Sequence, residues 1–523
     1  MTANNTVSDN YISDVAYESS YNPYLNPLNL HYIALQAGLR HDRLAKNFSY
    51  CDLGCGDGTT LNIIASMFPH ARFYGVDFNE EHIATARRNA EAAGIDNVIY
   101  HQLDFSELSS AEFPPLDFIN CFGTFSWINE ILQESILKFA GQSLVDHGVF
   151  TVHYVAKPGK VQLEPLWELM RIFTADVKGS SKERARTRVK EIGTLRKAGA
   201  QFFRENPIAH ARANRFTNLD LNNLAHEALS EWHTFYLDEM AGYAQQQGLQ
   251  YAGLQSPADN DPDFTIADKF RPILDDYTDP VVRSSIEDYI LNRGLRCDVY
   301  VKTNCKASPD ASPDTRQPMW LTNPEGAVSQ NVSVPSGKKI SFKSPLYDAI
   351  ADELRQGIRS VMELHTKPTL SSWSESEITT AVARLIAGGQ VKPAIGNALV
   401  PIGTPFHDQC RPVLRMTRDI LRGHIPASGF THLPSPLLGQ CVPVDQIIAL
   451  SLSALLFRTG NEVSWVTKQL SDAGVAGMQG IATEIKKKDA ADIANRALQI
   501  TTTAVLPALV RLGVYVQAGS NER

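Results

Sequence analysis

The sequence lacks the features of a secreted, membrane-spanning or nucleic-acid-binding protein. Residues 1–5 have neither the basic charge nor the apolar core of a secretory signal. The longest apolar stretch, residues 447–457, is well short of the ~20 residues that a membrane-spanning helix needs, so we expect no membrane insertion. A formal net charge of -8 offers no general attraction to phosphates, so we expect no nucleic-acid partner.

Cysteine is scarce, and its spacing does not suggest a metal site. The seven cysteines, at positions 51, 55, 121, 297, 305, 410 and 441, form no CxxC pair and no Cys/His pattern that suits zinc. We therefore predict no metal and reduced thiols, which indicates a cytoplasmic protein. With 43% hydrophobic and 20% charged residues, the 523-residue chain has the composition of a folded enzyme with more than one core.

Short β-branched or aromatic runs alternate with amphipathic segments between residues 49 and 155, which is typical of βαβ units around a parallel sheet. Five strands are predicted there, at 48–53, 72–76, 98–102, 116–122 and 149–155. Two later strand candidates, 249–254 and 295–303, would complete the sheet. We predict an α/β, Rossmann-like fold with a seven-stranded sheet.

The rest of the chain is predicted to be mainly helical. A helical insertion is expected at about 157–230, and its residues 178–204 hold nine Lys/Arg against two Glu. Residues 306–343 are rich in Ser, Pro, Asp and Gly and are predicted to be a linker. We therefore predict a first domain of residues 1–305 and a mainly α C-terminal domain of residues 344–523, with a regulatory or substrate-recognition role.

A glycine-rich loop follows the first predicted strand. Gly54, Gly56 and Gly58 allow a sharp turn and let the backbone approach a ligand without a Cβ clash. Their spacing differs from the G-x-G-x-x-G of dinucleotide enzymes, so NAD is the less favoured cofactor.

Carboxylates follow the next two strands. Asp77 lies 25 residues after Asp52, where a carboxylate can accept hydrogen bonds from both ribose hydroxyls. Asp104 is placed to take the proton of an adenine amino group, and Phe105 to pack on the base. A helix-capping role is the alternative for any one of these aspartates.

The D-x-G-x-G-x-G loop resembles the first motif of class I S-adenosylmethionine-dependent methyltransferases. The resemblance implies S-adenosylmethionine as cofactor and S-adenosylhomocysteine as product. It implies that Asp52 and the 54–58 loop hold the methionine moiety, with Cys55 as a small filler, while Asp77 holds the ribose. The predicted cofactor set is Asp52, Gly54, Cys55, Gly56, Gly58, Asp77, Phe78, Asp104, Phe105 and Phe122.

The segment after strand four narrows the resemblance. Gly123 followed by Ser126-Trp127 is similar to bacterial methyltransferases with an appended regulatory domain, a group that includes rickettsial protein-lysine methyltransferases acting on outer-membrane proteins. Further similarities lie at Tyr17, Tyr21 and Asn26-Pro27, and at 154–159, 232–237 and 292–296. Phe122 and Lys160 stand where that family usually has His and Trp. These two departures concern the identity of the methyl acceptor and not that of the cofactor.

A lysine acceptor is the favoured substrate. Methyl transfer is an in-line displacement that depends on alignment, and an amine must arrive neutral, which an aromatic slot promotes by desolvating it. Aromatic faces also favour methylammonium products. The residues predicted for this slot are Phe122, Phe125, Trp127, Tyr17, Tyr21 and Tyr24. For each of them, core packing is the alternative.

Three other hypotheses stay open. An O- or N-methyltransferase of a small metabolite or saccharide would use His153 or His233, a general base being needed for an oxygen acceptor. A non-catalytic binder would keep the sheet as a scaffold. For the basic stretch 178–204, nucleic-acid binding is weighed against a solvated helix face or a protein interface, which would steer an acidic partner protein or form a homodimer. The predicted acceptor-site residues are Phe125, Trp127, Tyr21 and His153.

Overall fold

Alternating strands and helices build a parallel sheet in the first third of the chain. The computed structural model describes residues 20–38, 47–173, 178–216, 232–303, 317–322, 331–334, 338–396, 410–422, 430–457, 460–472 and 487–517, with a few isolated residues between them. The strands are β1 (Ser49–Leu53), β2 (Arg72–Asp77), β3 (Val98–Gln102), β4 (Leu116–Cys121) and β5 (Leu144–Ala156). The helices are α1 (Pro27–Gln36), α2 (Thr59–Met67), α3 (Glu80–Ala93) and α4 (Glu130–Ser143).

Two later strands complete the sheet, as predicted. They are β6 (Leu249–Leu254) and β7 (Leu295–Lys302), and the strand order is β3-β2-β1-β4-β5-β7-β6. β7 is antiparallel to both of its neighbours. A two-residue strand, Thr234–Phe235, pairs in parallel with the end of β5. Because β1 to β5 are parallel, their carboxyl ends meet at one edge, which we call the carboxyl edge.

A helical insertion follows β5 and has its own core. Its helices are α5 (Glu164–Ile172), α6 (Ser181–Lys197), α7 (Gln201–Glu205) and α8 (Pro207–Phe216). Trp167 stacks on Trp232 with ring centroids 4.2 Å apart, and Ile12 and Val15 from the start of the chain are buried in the same cluster. The insertion is therefore packed against these two residues.

The later part of the sheet region carries four helices. They are α9 (Leu237–Gln246), α10 (Pro262–Thr265), α11 (Arg271–Asp275) and α12 (Pro280–Leu291). A buried ion network fastens α12 to the sheet. Arg296 in β7 is 1% exposed; its Nη1 donates to both oxygens of Asp288 (2.7 Å each) and its Nε to Oδ1 of Asp298 (2.9 Å). The Tyr154 hydroxyl of β5 donates to the other oxygen of Asp298 (2.5 Å), and Arg296 Nη2 donates to the Tyr251 hydroxyl (2.8 Å).

The C-terminal region is largely helical, as predicted. Its helices are α13 (Pro345–Gln356), α14 (Val361–His365), α15 (Glu375–Ala387), α16 (Arg415–Arg422), α17 (Gln446–Phe457), α18 (Glu462–Asp472), α19 (Lys487–Ile500) and α20 (Leu506–Arg511). Its short strands are β8 (Met319–Leu321), β9 (Asn331–Ser333), β10 (Lys339–Ser341), β11 (Val391–Pro393), β12 (Cys410–Pro412), β13 (Phe430–Ser435), β14 (Gln440–Asp445) and β15 (Tyr515–Gln517). They form the antiparallel pairs β8–β11, β9–β10, β12–β15 and β13–β14.

Part of the predicted linker is built into this region. Trp320 of β8 is 0% exposed, and β8 pairs with β11. Across the residues with described structure, none of the helices has both the length and the apolar character needed to cross a bilayer.

One hydrophobic cluster joins the sheet region to the C-terminal region. Met67 and Phe73 belong to it together with Leu354, Leu385 and Met416, and all five are buried. A hydrogen bond also crosses this boundary between the two regions, which we call the seam. The side chain of Asn26, just before α1, donates to the Gly439 carbonyl (2.8 Å). The two regions therefore share one core.

Breaking the buried ion network should destabilise the sheet. Arg296→Met leaves the carboxylates of Asp288 and Asp298 buried without their main partner, and we expect a loss of about 3–5 kcal/mol in the free energy of unfolding, measured with urea. Arg171→Met is the control, because that side chain is 71% exposed and should change little. An Arg296→Met protein as stable as the wild type would contradict this role.

Candidate cofactor and acceptor site

The glycine loop is held against β2 and leaves an open face. The backbone N–H groups of Gly54 and Cys55 donate to the Val76 carbonyl (2.8 and 3.1 Å). Gly54, Gly56 and Gly58 all have positive φ, at 80°, 54° and 73°. A Cβ on Gly58 would meet Tyr100 and Ala86, whereas a Cβ on Gly56 would meet nothing within 4 Å. The fold therefore needs Gly58, while Gly56 faces the space in which a ligand is expected.

Asp52 is a buried carboxylate at the end of β1. It is 7% exposed, and its Oδ1 accepts from Nδ2 of Asn120, at the end of β4 (2.6 Å). The pKa of Asp52 is raised to about 6, chiefly by burial and further by the charge of Asp77, while the hydrogen bond from Asn120 opposes the rise. A cation placed here would favour the ionised form.

Asn120 carries an unused acceptor. Its side chain is 0% exposed, and in the described part of the protein its Oδ1 has no hydrogen-bond partner. A buried acceptor without a donor is costly, so a ligand with N–H groups fits this position.

Asp77 ends β2 with both oxygens in use. Oδ2 accepts from the Gly56 N–H (2.9 Å) and Oδ1 from the Asn79 N–H (2.9 Å). The Nδ1 atom of His82 lies 3.5 Å from Oδ1, and the pKa of His82 is raised, chiefly by this interaction with Asp77. Each carboxylate oxygen keeps a second lone pair, which is what a pair of ribose hydroxyls requires. Half-buried Phe78 follows directly.

Asp104 caps the short helical turn after β3. Its Oδ1 accepts from the backbone N–H of Ser106 (2.8 Å) and from its hydroxyl (2.6 Å). Phe105 is 8% exposed and packs in the core beneath the sheet. These contacts are those of a helix-capping aspartate, which was the alternative to a ligand-binding role. Adenine binding by Asp104 and Phe105 stays a prediction.

Cys55 is a small, half-buried residue. Burial raises the pKa of its thiol well above its usual value, so the group is protonated at neutral pH. In the parts of the chain that the structure describes, no cluster of His, Cys, Asp and Glu is arranged to hold a metal ion.

An aromatic wall stands at the ends of β4 and β5. The Phe122 ring lies 4.5 Å from the His153 ring, and burial lowers the pKa of His153 to about 4. Half-buried Trp127 follows, in a short turn whose Ser126 hydroxyl accepts from the Val155 N–H (2.8 Å). The His233 N–H donates to the Ser126 carbonyl (2.9 Å), so His233 belongs to the same part of the edge.

Two predicted acceptor residues have their contacts elsewhere. Phe125 is 1% exposed and packs on Phe235, with ring centroids 5.6 Å apart. The Tyr21 ring lies 5.3 Å from that of His432 in the C-terminal hairpin β13–β14. Tyr24 is 44% exposed, and Tyr17 lies outside the described residues. The acceptor roles of all these residues stay predictions. Phe122 lies against His153, and backbone hydrogen bonds join the Ser126-Trp127 turn to β5 and to His233.

Three residues of this edge are absent from the predicted set. Asn120 is the last but one residue of β4, as Asp52 is of β1, so its place near the end of a buried strand was a usable signal. His82 is the third residue of α3 after the N-cap Asn79, and helical side chains point toward the N-terminus. Thr124 packs against Gly54, where an added Cβ would overlap its hydroxyl. The contact between Thr124 and Gly54 depends on the conformation of the loop, so the sequence pattern does not predict it.

Two family models match the chain. Residues 44–194 match a methyltransferase domain, and residues 220–302 match a predicted methyltransferase regulatory domain. The second match covers β6 and β7, which complete the sheet, and does not extend to the helical region after residue 343.

Known proteins resemble the chain over different lengths. A protein of Synechocystis sp. is 26% identical over 452 residues, which cover 86% of this chain and 88% of that protein. The structure of PKMT2 from Rickettsia typhi matches with a TM-score of 0.64 and 19% identity over 96% of this chain and 100% of that one; its complex with AdoHcy also scores 0.64. This likeness shows the fold. A malonyl-[acyl-carrier protein] O-methyltransferase of Bacillus cytotoxicus is 31% identical over 103 residues, 19% of this chain and 34% of that protein.

The glycine loop allows a separation of folding from binding. Gly56→Ala should keep the fold, at a cost of about 1–2 kcal/mol for its left-handed backbone, yet weaken binding of S-adenosylhomocysteine measured by calorimetry, because the methyl group enters the open face. Gly58→Ala should lower the melting temperature further, since its Cβ meets Tyr100 and Ala86. Unchanged affinity in Gly56→Ala would exclude that face as the binding surface.

Cofactor affinity should fall at acidic pH. Asp52 is mostly ionised above its pKa of about 6 and attracts a cationic ligand; as pH drops below that value the carboxyl group protonates and the attraction is lost. We expect the dissociation constant to rise by up to about tenfold per pH unit below this point. Asp52→Asn keeps the Asn120 neighbour but cannot titrate, so it should bind weakly with a flatter pH profile. Equal profiles for both proteins would contradict the role.

Proposed function

We propose that this chain, which is an S-adenosylmethionine-dependent methyltransferase, transfers methyl groups to the side-chain amines of lysines in a protein. The resemblance to rickettsial protein-lysine methyltransferases, first carried by the Gly123 and Ser126-Trp127 segment, supports this substrate class. So does the match to PKMT2 along nearly the whole chain.

The observation that carries the proposal is the state of His153. Its ring packs on Phe122, and burial alone lowers its pKa to about 4. The environment at the ends of β4 and β5 therefore disfavours positive charge. A lysine side chain placed against the same wall would lose its proton more readily, because desolvation lowers the pKa of an ammonium in the same way.

The residues of the carboxyl edge divide into two groups with different tasks. Asp52 and Asn120 would hold the methionine end of the cofactor, Gly56 would leave room for it, and Asp77, supported by His82, would hold the ribose. When bound, the cofactor supplies a methyl group on a sulfonium, which is strongly electrophilic. Phe122, His153 and Trp127 would orient the acceptor amine and exclude water.

Transfer to a small metabolite or saccharide is the alternative. An oxygen acceptor needs a general base whose pKa lies near the working pH, and a histidine with a pKa of about 4 is a weak base. His233 would have to act instead. We further propose that the enzyme works in the cytoplasm. The cysteines in the described part of the chain form no disulfide with one another, which suits a reducing compartment.

The acceptor class can be tested by following a labelled methyl group. The purified enzyme, methyl-labelled S-adenosylmethionine and fractionated host extract should give label in polypeptides that maps to lysine, and none with Asp77→Ala. Label found only in low-mass material or glycans would overturn the lysine proposal.

Substitution of His153 separates the two acceptor classes. His153→Phe keeps an aromatic ring against Phe122, so transfer to lysine should stay within several-fold of the wild type, measured as initial rate. If His153 were a general base, the rate would fall by about 10²–10⁴. His233→Phe is the matched test of the other histidine.

A further inference from the structure

A tyrosine pair extends the carboxyl edge beyond β5. The strand Thr234–Phe235 pairs with the last two residues of β5, and the Lys157 N–H donates to the Phe235 carbonyl (2.9 Å). Tyr236 is the next residue and precedes α9. Since the His233 N–H donates to the Ser126 carbonyl, this segment begins next to the turn that holds Trp127.

The outer member of the pair is exposed. Tyr289, near the end of α12, stacks on Tyr236 with ring centroids 6.4 Å apart and an interplanar angle of 15°. It is 63% exposed, so its outer face is open to solvent. Among the described residues, none places an ammonium or guanidinium group over this ring.

The inner member of the pair already holds a lysine. Lys157 Nζ lies 5.0 Å from the centre of the Tyr236 ring and 3.7 Å from the Glu239 carboxylate. A ring face next to a carboxylate attracts a cation through both the ring quadrupole and the charge. The Tyr236 ring and the Glu239 carboxylate therefore already bind one lysine side chain of this protein.

The outer ring also has a carboxylate in its surroundings. The hydrogen bond between the two tyrosine hydroxyls is the largest influence that raises the pKa of Tyr289, and the charge of Asp238 contributes to it. Asp238 is exposed and precedes Glu239 in the first turn of α9. An exposed ring and an exposed carboxylate therefore lie on neighbouring elements, α12 and α9.

We propose that the outer face of Tyr289, together with Asp238, binds a lysine or arginine side chain of the acceptor polypeptide that flanks the methylated lysine. This inference rests on the proposed function and adds a docking surface to it. An acceptor polypeptide fits because the surface is aromatic and acidic, and because Tyr236 belongs to the segment that His233 joins to the Ser126-Trp127 turn.

The spacing of the sheet gives an order-of-magnitude estimate of the distance between the two lysine positions. β4 and β7 are separated by two strand spacings of about 4.8 Å, and α12 leads directly into β7. An extended polypeptide rises about 3.3 Å per residue, so roughly three residues cover that span. We therefore expect the flanking cation about three residues from the methylated lysine.

A peptide library tests the inference with the full-length enzyme. The probes are peptides with a fixed central lysine and randomised positions to about four residues on either side, incubated with labelled S-adenosylmethionine. The wild-type enzyme should select Lys or Arg about three residues from the centre, by about two- to fivefold over apolar residues, as expected for an exposed cation–π contact. Tyr289→Leu should abolish this selection, Tyr289→Phe should retain it, and Asp238→Asn should weaken it.

The controls separate docking from folding and from the reaction itself. Phe430→Leu, an equally exposed aromatic in β13 (58%), should leave the selection unchanged, and equal melting temperatures would show that the variants are folded. Selection that persists in Tyr289→Leu, is absent in the wild type or favours apolar residues would overturn the docking inference while leaving lysine methylation intact. No methylation of any peptide by the wild type, together with label only in non-protein acceptors from host extract, would overturn the proposed function and this inference with it.

Discussion

The candidate site depends on one constraint, which is that a carboxylate must stay charged while buried among strand ends. Asp52 is nearly inaccessible, and burial alone pushes its pKa upward. The Asn120 amide opposes this through a short hydrogen bond that also ties β1 to β4. Without that partner the charge would be too costly, and the parallel pairing of β1 with β4 is what brings it within reach. The charge state of Asp52 therefore depends on the strand order, which places Asn120 beside it.

Much of the sheet was predictable because parallel strands leave a strong local pattern. The glycine loop, Asp77 and the order of strands and helices follow from short apolar runs, turn residues and capping signals, and the seven-stranded sheet is confirmed. β5 was harder, since it begins at Leu144 directly where α4 ends, with no intervening loop to mark the change. The predicted start at 149 follows Gly148, which reads as a boundary in the sequence but lies inside the strand.

The acceptor side was less predictable, for a physical reason. Phe122, Phe125 and Trp127 are neighbours in sequence and equally aromatic, yet Phe125 packs inward on Phe235 while Phe122 lies against His153. Which way each ring points is decided by tertiary contacts. Tyr21 gives the same lesson, because its ring contacts His432, more than 400 residues later in the chain. No local pattern could indicate that contact.

The shared core has a consequence for how the two regions depend on each other. Met67 and Phe73 of the sheet region are buried in the same cluster as Leu354 and Leu385 of the C-terminal region, and Asn26 bonds across the seam to Gly439. Either half alone would present an apolar surface to water. The regions are therefore obliged to unfold together, and mutations on one side of the seam will be tolerated or rejected according to the side chains present on the other. Substitutions in the sheet region and in the C-terminal region are therefore expected to be coupled wherever the two regions share this core.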